Sequence, residues 1–169
     1  MKFDTSIVRA NYQSPLGPMT IAATKRGIAG LWFDGQRHMP DCSGWKLQQD
    51  HPLIAQASTQ LDEYFSGERT QFDLPLDLQH GTAFQQSVWQ ALLRIPSGGT
   101  TSYGLLGQSI GKPAAVRAVG SAVGRNPVSI VVPCHRVLGA DGSLTGYAGG
   151  LERKTALLQL EGAATAAVN

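Results

Sequence analysis

Hydrophobic and polar positions change their period along this chain. Residues 7–12, 19–23 and 28–33 are short runs rich in β-branched, aromatic and small apolar side chains, separated by a Ser14-Pro-Leu-Gly-Pro18 turn and a Lys25-Arg-Gly27 turn. A small antiparallel sheet is the expected product. Residues 35–49 show no clear period. Leu53, Ala57, Leu61, Tyr64 and Phe65 then fall at helical spacing, which predicts one helix packed on that sheet. Pro75 and the Gln79-His-Gly81 segment interrupt both periods and place a domain boundary near residue 80.

Beyond the boundary the pattern is helical. Thr82 stands three residues before Gln85, a capping-box pattern, and Phe84, Val88 and Leu92 repeat along one face. That helix should end before Pro96-Ser-Gly-Gly99. Ser102 is a suitable N-cap for a short helix over 103–110, closed by Gly111, after which Lys112-Pro113 opens another helix running to about Gly124. The outline is helix, tight turn, helix. The fold class expected is α/β (α+β): residues 1–80 form a small antiparallel sheet with a helix, and residues 81–169 form a mostly helical domain with a helix-turn-helix.

The helix expected over 113–124 has two unlike faces. Val116, Val119 and Val123 line one side, whereas Arg117, Ser121 and Arg125 lie at steps of four on another. Ala114, Ala115, Ala118, Gly120 and Ala122 keep it thin. From pattern alone this is either an ordinary amphipathic helix packed on a core or a slender helix able to enter a nucleic-acid groove.

Charge adds direction to that choice. The formal net charge is only +2. Residues 1–80 carry seven Lys/Arg against nine Asp/Glu, whereas residues 81–150 carry five Lys/Arg against Asp141 alone. A polyanion should therefore meet the second half. No apolar run approaches the ~20 residues a membrane helix needs, and the first ten residues lack the apolar core of a signal peptide. Two cysteines, Cys42 and Cys134, make no disulfide framework, so a cytoplasmic, reducing setting is expected. Pro40 between His38 and Cys42 argues against a shared helical face for metal ligation, and no metal is expected.

The candidate chemistry lies in Pro133-Cys134-His135-Arg136-Val137, entered from the β-branched run 130–132, which has strand character. A lone cysteine in apolar surroundings is commonly inert packing. Its neighbours give the other reading: a proline fixes the backbone, an adjacent imidazole accepts the thiol proton directly or through a water, and Arg136 favours thiolate electrostatically.

The segment Asn126-Pro-Val-Ser-Ile-Val-Val-Pro-Cys-His-Arg-Val137 resembles the active-site signature of the O6-alkylguanine-DNA alkyltransferases, the methylated-DNA–protein-cysteine methyltransferases. Four further blocks agree in order and spacing: Thr82-Ala-Phe-Gln-Gln-Ser-Val-Trp89, Ile95-Pro96 followed by Ser102-Tyr103, Arg117-Ala-Val-Gly120, and Gly146-Tyr-Ala-Gly-Gly150 followed by Leu160-Glu161-Gly162. They span roughly residues 80–162. The first 80 residues resemble the family only loosely.

The resemblance implies a single-turnover repair reaction in which Cys134 takes the alkyl group from O6-alkylguanine, and also O4-methylthymine, in duplex DNA and is inactivated. It implies that His135 acts as general base through a water, that Glu161 orients the imidazole, and that Tyr103 donates its hydroxyl to a ring nitrogen of the departing guanine. Asn126 becomes a hinge residue bonding backbone near Cys134. Val137, Tyr147, Ala148 and Gly149 wall the base pocket. Ser102, Ala115, Arg117, Ala118, Ser121 and Arg125 become the DNA-binding set, with their helix in the minor groove and Arg117 intruding where the base was. No cofactor, no membrane partner and a monomer are implied. Two positions depart from the family: Ala148, where a serine is frequent, and Gly104, where a polar phosphate-contacting residue is common. A non-catalytic module binding alkylated DNA is the alternative, and a cysteine hydrolase using Cys134 and His135 a more distant one.

Overall fold

The computed structural model describes residues 2–163. The chain divides into two compact units, one holding 1–80 together with Pro127–Ser129, the other 81–126 and 130 onward.

The first unit is built on a four-stranded sheet of order β3-β2-β1-β4. The three expected strands, β1 (Val8–Ser14), β2 (Gly17–Ala23) and β3 (Ile28–Phe33), pair antiparallel. Pro15 and Leu16 make the β1–β2 turn, closed by the Ser14 hydroxyl on the Gly17 carbonyl at 2.7 Å, and Gly17 takes φ 120°. The unperiodic stretch yields a two-residue β4 (Lys46–Leu47), which joins β1 in parallel. Helix α1 (Pro52–Phe65) starts with proline in its first turn and the His51 ring capping Leu53 N. Ile54, Ala57, Leu61 and Tyr64 are its buried side. The Tyr12 hydroxyl donates to Asp62 at 2.7 Å and fixes α1 on β1.

Every residue of β3 is buried. Its outer edge is covered by Pro127–Ser129: Leu31 N donates to Pro127 O at 2.8 Å and Ser129 N to Leu31 O at 2.9 Å. The strand expected over 130–132 does not form. That run is a turn in which Ile130 takes φ 73°, a conformation β-branched residues avoid. Pro127–Ser129 engage β3 through the isolated bridge between Leu31 and Val128, and the chain then has to turn back.

The second unit opens with α2 (Ala83–Leu92), whose capping box is complete: Thr82 Oγ1 accepts from Gln85 N at 3.1 Å and Gln85 Oε1 from Thr82 N at 2.9 Å. A short strand β5 (Thr101–Ser102) runs into α3 (Tyr103–Ser109), capped by Ser102 Oγ on Leu105 N. Gly111, at φ 74°, ends that turn. Helix α4 (Val116–Gly124) begins three residues later than expected, because 112–115 close a separate turn, Ala115 N bonding Lys112 O. Alanine at the cap has no acceptor to offer, and Val116, in the exposed first turn, is 43% accessible and does not join the buried Val119, Ala122 and Val123. Trp89 Nε1 donates to Ala122 O at 2.9 Å and locks α2 against α4. Strand β6 (Val137–Leu138) pairs with β5 in parallel, and α5 (Leu151–Leu160) follows a loop. Among the described residues no helix is long and apolar enough to cross a membrane.

Candidate active site

Cys134 opens a one-turn 3-10 segment, Cys134–Arg136, set directly before β6. Pro133, with φ −83° and ψ 64°, is the centre of an inverse γ-turn that Cys134 N closes on Val132 O at 2.8 Å. The same carbonyl accepts from Asn126 Nδ2 at 2.7 Å. Asn126 lies two residues past α4, so this side chain joins the end of that helix to the cysteine turn. Gly120 of α4 lies under Tyr103: a Cβ there would stand 3.8 Å from the ring.

Cys134 is 6% exposed. Burial pushes its thiol up to about 11, although hydrogen bonding with Asn126, the Lys154 cation and its own turn pull the other way. The resting group is a thiol, and its use as a nucleophile requires a base. His135 follows it and is fully buried. The imidazole Nε2 lies 2.8 Å from Glu161 Oε2, and Nδ1 has no hydrogen-bond partner among the described residues. Glu161 caps the C-terminal end of α5 with its side chain 1% exposed. A carboxylate there makes Nε2 the protonated nitrogen and leaves the Nδ1 lone pair open to accept a proton. Burial holds the His135 pKa below its ordinary value; Glu161 opposes that shift, while Arg136 and Lys154 add to it.

Arg136 corrects the expectation drawn from its position beside the thiol. Its guanidinium is committed to Glu161: Nε reaches Oε1 at 2.8 Å and Nη2 reaches Oε2 at 2.9 Å, while Nη1 donates to Ile95 O. The cation near Cys134 is Lys154, a residue the sequence reading passed over. It is fully buried, donating from Nζ to Val137 O at 2.6 Å, Thr145 O at 3.0 Å and Gly146 O at 3.4 Å. Burial lowers its pKa to about 8, against the pull of Cys134. The signal for it was its spacing: Lys154, Leu157 and Leu158 form one apolar face of α5.

Lys154 also fixes the loop expected to wall a base pocket. Thr145, whose carbonyl it holds, places Oγ1 3.4 Å from the Tyr103 hydroxyl. Tyr147 and Ala148 are half-buried, Gly149 is buried, and Val137 is fully buried in β6. On the helix-turn-helix, Arg117, Ala118, Ser121 and Arg125 are all exposed, Ala115 is half-buried at the cap of α4, and Ser102 spends its oxygen on capping α3. Neither Arg117 nor Arg125 forms a salt bridge among the described residues. The geometry is that of a buried thiol followed in sequence by a buried, oriented imidazole, in the same unit as a helix-turn-helix that presents two arginines without a salt bridge among the described residues.

Comparison with known proteins agrees. A family model for the 6-O-methylguanine DNA methyltransferase DNA binding domain matches residues 83–163, and one for the ribonuclease-like domain of the same enzymes matches residues 7–78. The methylated-DNA–protein-cysteine methyltransferase of Mycobacterium tuberculosis is 51% identical over 148 residues, 88% of each chain. The chain belongs to the O6-methylguanine-DNA methyltransferase family.

A methyltransferase of this family from Methanosarcina acetivorans is 46% identical, over 90% of this chain and 97% of its own. The fold agrees as well. The Mycobacterium tuberculosis OGT, solved in complex with DNA, superposes with a TM-score of 0.84 at 49% identity, covering 91% of this chain and 92% of that one. The O6-methylguanine-DNA methyltransferase of Pyrococcus kodakaraensis gives 0.65 at 25% identity, covering 92% and 99%. Membership fixes the activity as methylated-DNA–protein-cysteine methyl transfer, a DNA-repair reaction whose acceptor is a protein thiol.

Proposed function

We propose that Cys134 is the acceptor, taking the alkyl group from O6 of an alkylated guanine in double-stranded DNA once and irreversibly. The observation supporting this reading is the buried imidazole of His135, next in sequence to Cys134, with Nε2 held 2.8 Å from Glu161 Oε2 and Nδ1 without a hydrogen-bond partner among the described residues. In the reaction Cys134 loses its proton, through a water, to His135 Nδ1. The sulfur attacks the alkyl carbon, an S–C bond forms as the O6–C bond breaks, and the bonding pair leaves with the guanine oxygen. Tyr103 donates a hydrogen bond to a ring nitrogen of the departing base, easing the charge it acquires. The thioether has no leaving group for a second step, which makes the transfer stoichiometric. O4-methylthymine presents the same kind of bond and falls within the reading.

A carbon on a base edge is out of reach inside the duplex, so the base must be extruded. The exposed face of α4 suits the minor groove because Ala115, Ala118 and Ser121 are small, and Arg117 fills the space the base leaves while Arg125 and Ser102 meet the backbone. Val137, Tyr147, Ala148 and Gly149 then enclose the extruded base. The protein acts as a monomer, in the cytoplasm, where its two free cysteines stay reduced.

The test is the intact mass of the protein after incubation with excess duplex carrying one O6-methylguanine, followed by peptide mapping. One methyl group on Cys134 and no further gain is expected. Binding without any mass gain means a non-catalytic binding module instead, and repeated turnover means a hydrolase.

A further inference from the structure

The cysteine, imidazole and carboxylate account for the transfer, yet a buried guanidinium, that of Arg136, is built onto the same carboxylate. Glu161 sits at the C-terminal end of α5, the end at which the helix dipole disfavours an anion, and its side chain is almost wholly out of water. A carboxylate so placed would protonate or swing outward unless something opposed both. Arg136 meets it with two parallel bonds, one to each carboxylate oxygen, and is itself tied to the Ile95 carbonyl. Glu161 Oε2 is shared: it takes Arg136 Nη2 at 2.9 Å and His135 Nε2 at 2.8 Å.

We propose that Arg136 is a positioning residue for the transfer, which holds Glu161 ionised and in the plane that makes His135 an Nε2–H base with its Nδ1 lone pair free. The proposal rests on the reading of Cys134 as acceptor and His135 as its base. Arg136 acts through Glu161 and not on the thiol. It also places a cation where a protonated imidazole would otherwise be favoured by Glu161, so the base stays neutral at rest. A lysine keeps the charge but not the planar fork, and cannot hold both oxygens while anchored to Ile95.

The experiment is a double-variant cycle of wild type, Arg136→Lys, Glu161→Gln and the combined variant. It measures single-turnover transfer from saturating O6-methylguanine duplex, with DNA affinity and His135 ring 15N shifts recorded alongside. Because Arg136→Lys retains the buried charge, it is expected to fold. It should transfer on the order of 10- to 100-fold more slowly, less than the ~10²- to 10⁴-fold a general base itself supplies, with DNA affinity within about twofold. Its ring shifts should show a loss of the single Nε2–H tautomer expected in wild type. The combined variant should be no slower than Glu161→Gln alone, since the arginine has nothing left to act on. A wild-type rate in Arg136→Lys, unchanged ring shifts, or losses that multiply in the combined variant overturns the assignment. A wild-type protein that methylates no cysteine overturns the underlying reading as well, and the mass measurement tells the two failures apart.

Discussion

Lys154 Nζ donates to the carbonyl of Val137 at 2.6 Å from a position with no solvent exposure. The same ammonium holds Thr145 and Gly146, so one side chain ties β6, which follows the cysteine turn, to the loop carrying Tyr147. Lys154→Met removes that tie and the cation that draws the Cys134 thiol down. Transfer should slow on the order of 10- to 100-fold, the scale on which misplaced reacting groups lose rate. The pH dependence of stability is a separate check. The folded Lys154 pKa is lowered from 10.5 to about 8, so its contribution is full above 10.5 and is lost as pH falls through 8. Cys134 runs the opposite way, raised from 9 to about 11, its contribution full below 9 and lost above it. The two nearly cancel above pH 9. Wild-type stability in urea should therefore rise with pH from about 8 toward 9, and Lys154→Met should lack the rise. An equal rise in the variant would show that another group carries it.

His135 sets the acidic side of the behaviour. Its folded pKa is below the ordinary 6.5, so the neutral base survives in the folded protein at pH values where a free imidazole is already protonated. Transfer by wild type should stay level as pH drops through 6.5 and fall only lower down. Stability has the matching sign: the contribution is complete above 6.5 and is lost as pH falls toward the folded value. His80, lowered to about 4 by burial, adds in the same direction. Unfolding free energy should decline from about pH 6.5 downward, less steeply in His135→Gln. A transfer rate that follows an ordinary histidine titration would place His135 in water and contradict its burial.

What the sequence disclosed and what it hid divide along local and non-local causes. The Thr82–Gln85 capping box and the Ser102 cap were legible because side chain and backbone partner lie three residues apart. For the run 130–132, β-branched composition points to a strand but says nothing about the neighbour available, and a turn forms there. Its direction is imposed by Pro127–Ser129 gripping β3, which holds Ile130 at a positive φ costing about 1–3 kcal/mol. Arg136 lies two residues past Cys134, and on a turn of about three residues each step rotates the side chain by roughly 120°. It therefore meets a carboxylate 25 residues away. The role of Lys154 is hidden for the same reason: its spacing puts it on the buried face of α5, but the three carbonyls that make its burial tolerable lie 17, 9 and 8 residues away in sequence.

Cys134→Ser separates chemistry from recognition. A serine hydroxyl is a far weaker nucleophile than a thiolate near neutral pH, and His135 cannot close that gap. Transfer should be lost, with binding of O6-methylguanine duplex measured by titration kept within about threefold, since one atom in a buried site changes. Near wild-type transfer by the serine variant would remove Cys134 from the role of acceptor.

Arg117→Ala tests the proposed base extrusion. Arg117 is exposed on the second turn-helix element and forms no salt bridge among the described residues, so its loss should leave the fold and the thiol untouched. If it fills the space the base vacates, it offsets unstacking that costs a few kcal/mol. The variant should then repair duplex DNA ~10- to 1,000-fold more slowly, the rate equivalent of roughly 1.4–4 kcal/mol. Reaction with free O6-benzylguanine needs no extrusion and should proceed at the wild-type rate. Comparing the two substrates in one preparation cancels any difference in active protein. Equal slowing on both would move Arg117 from base extrusion to the pocket or its support, and no slowing on either would leave the minor-groove role of α4 to Arg125 and the small residues beside it.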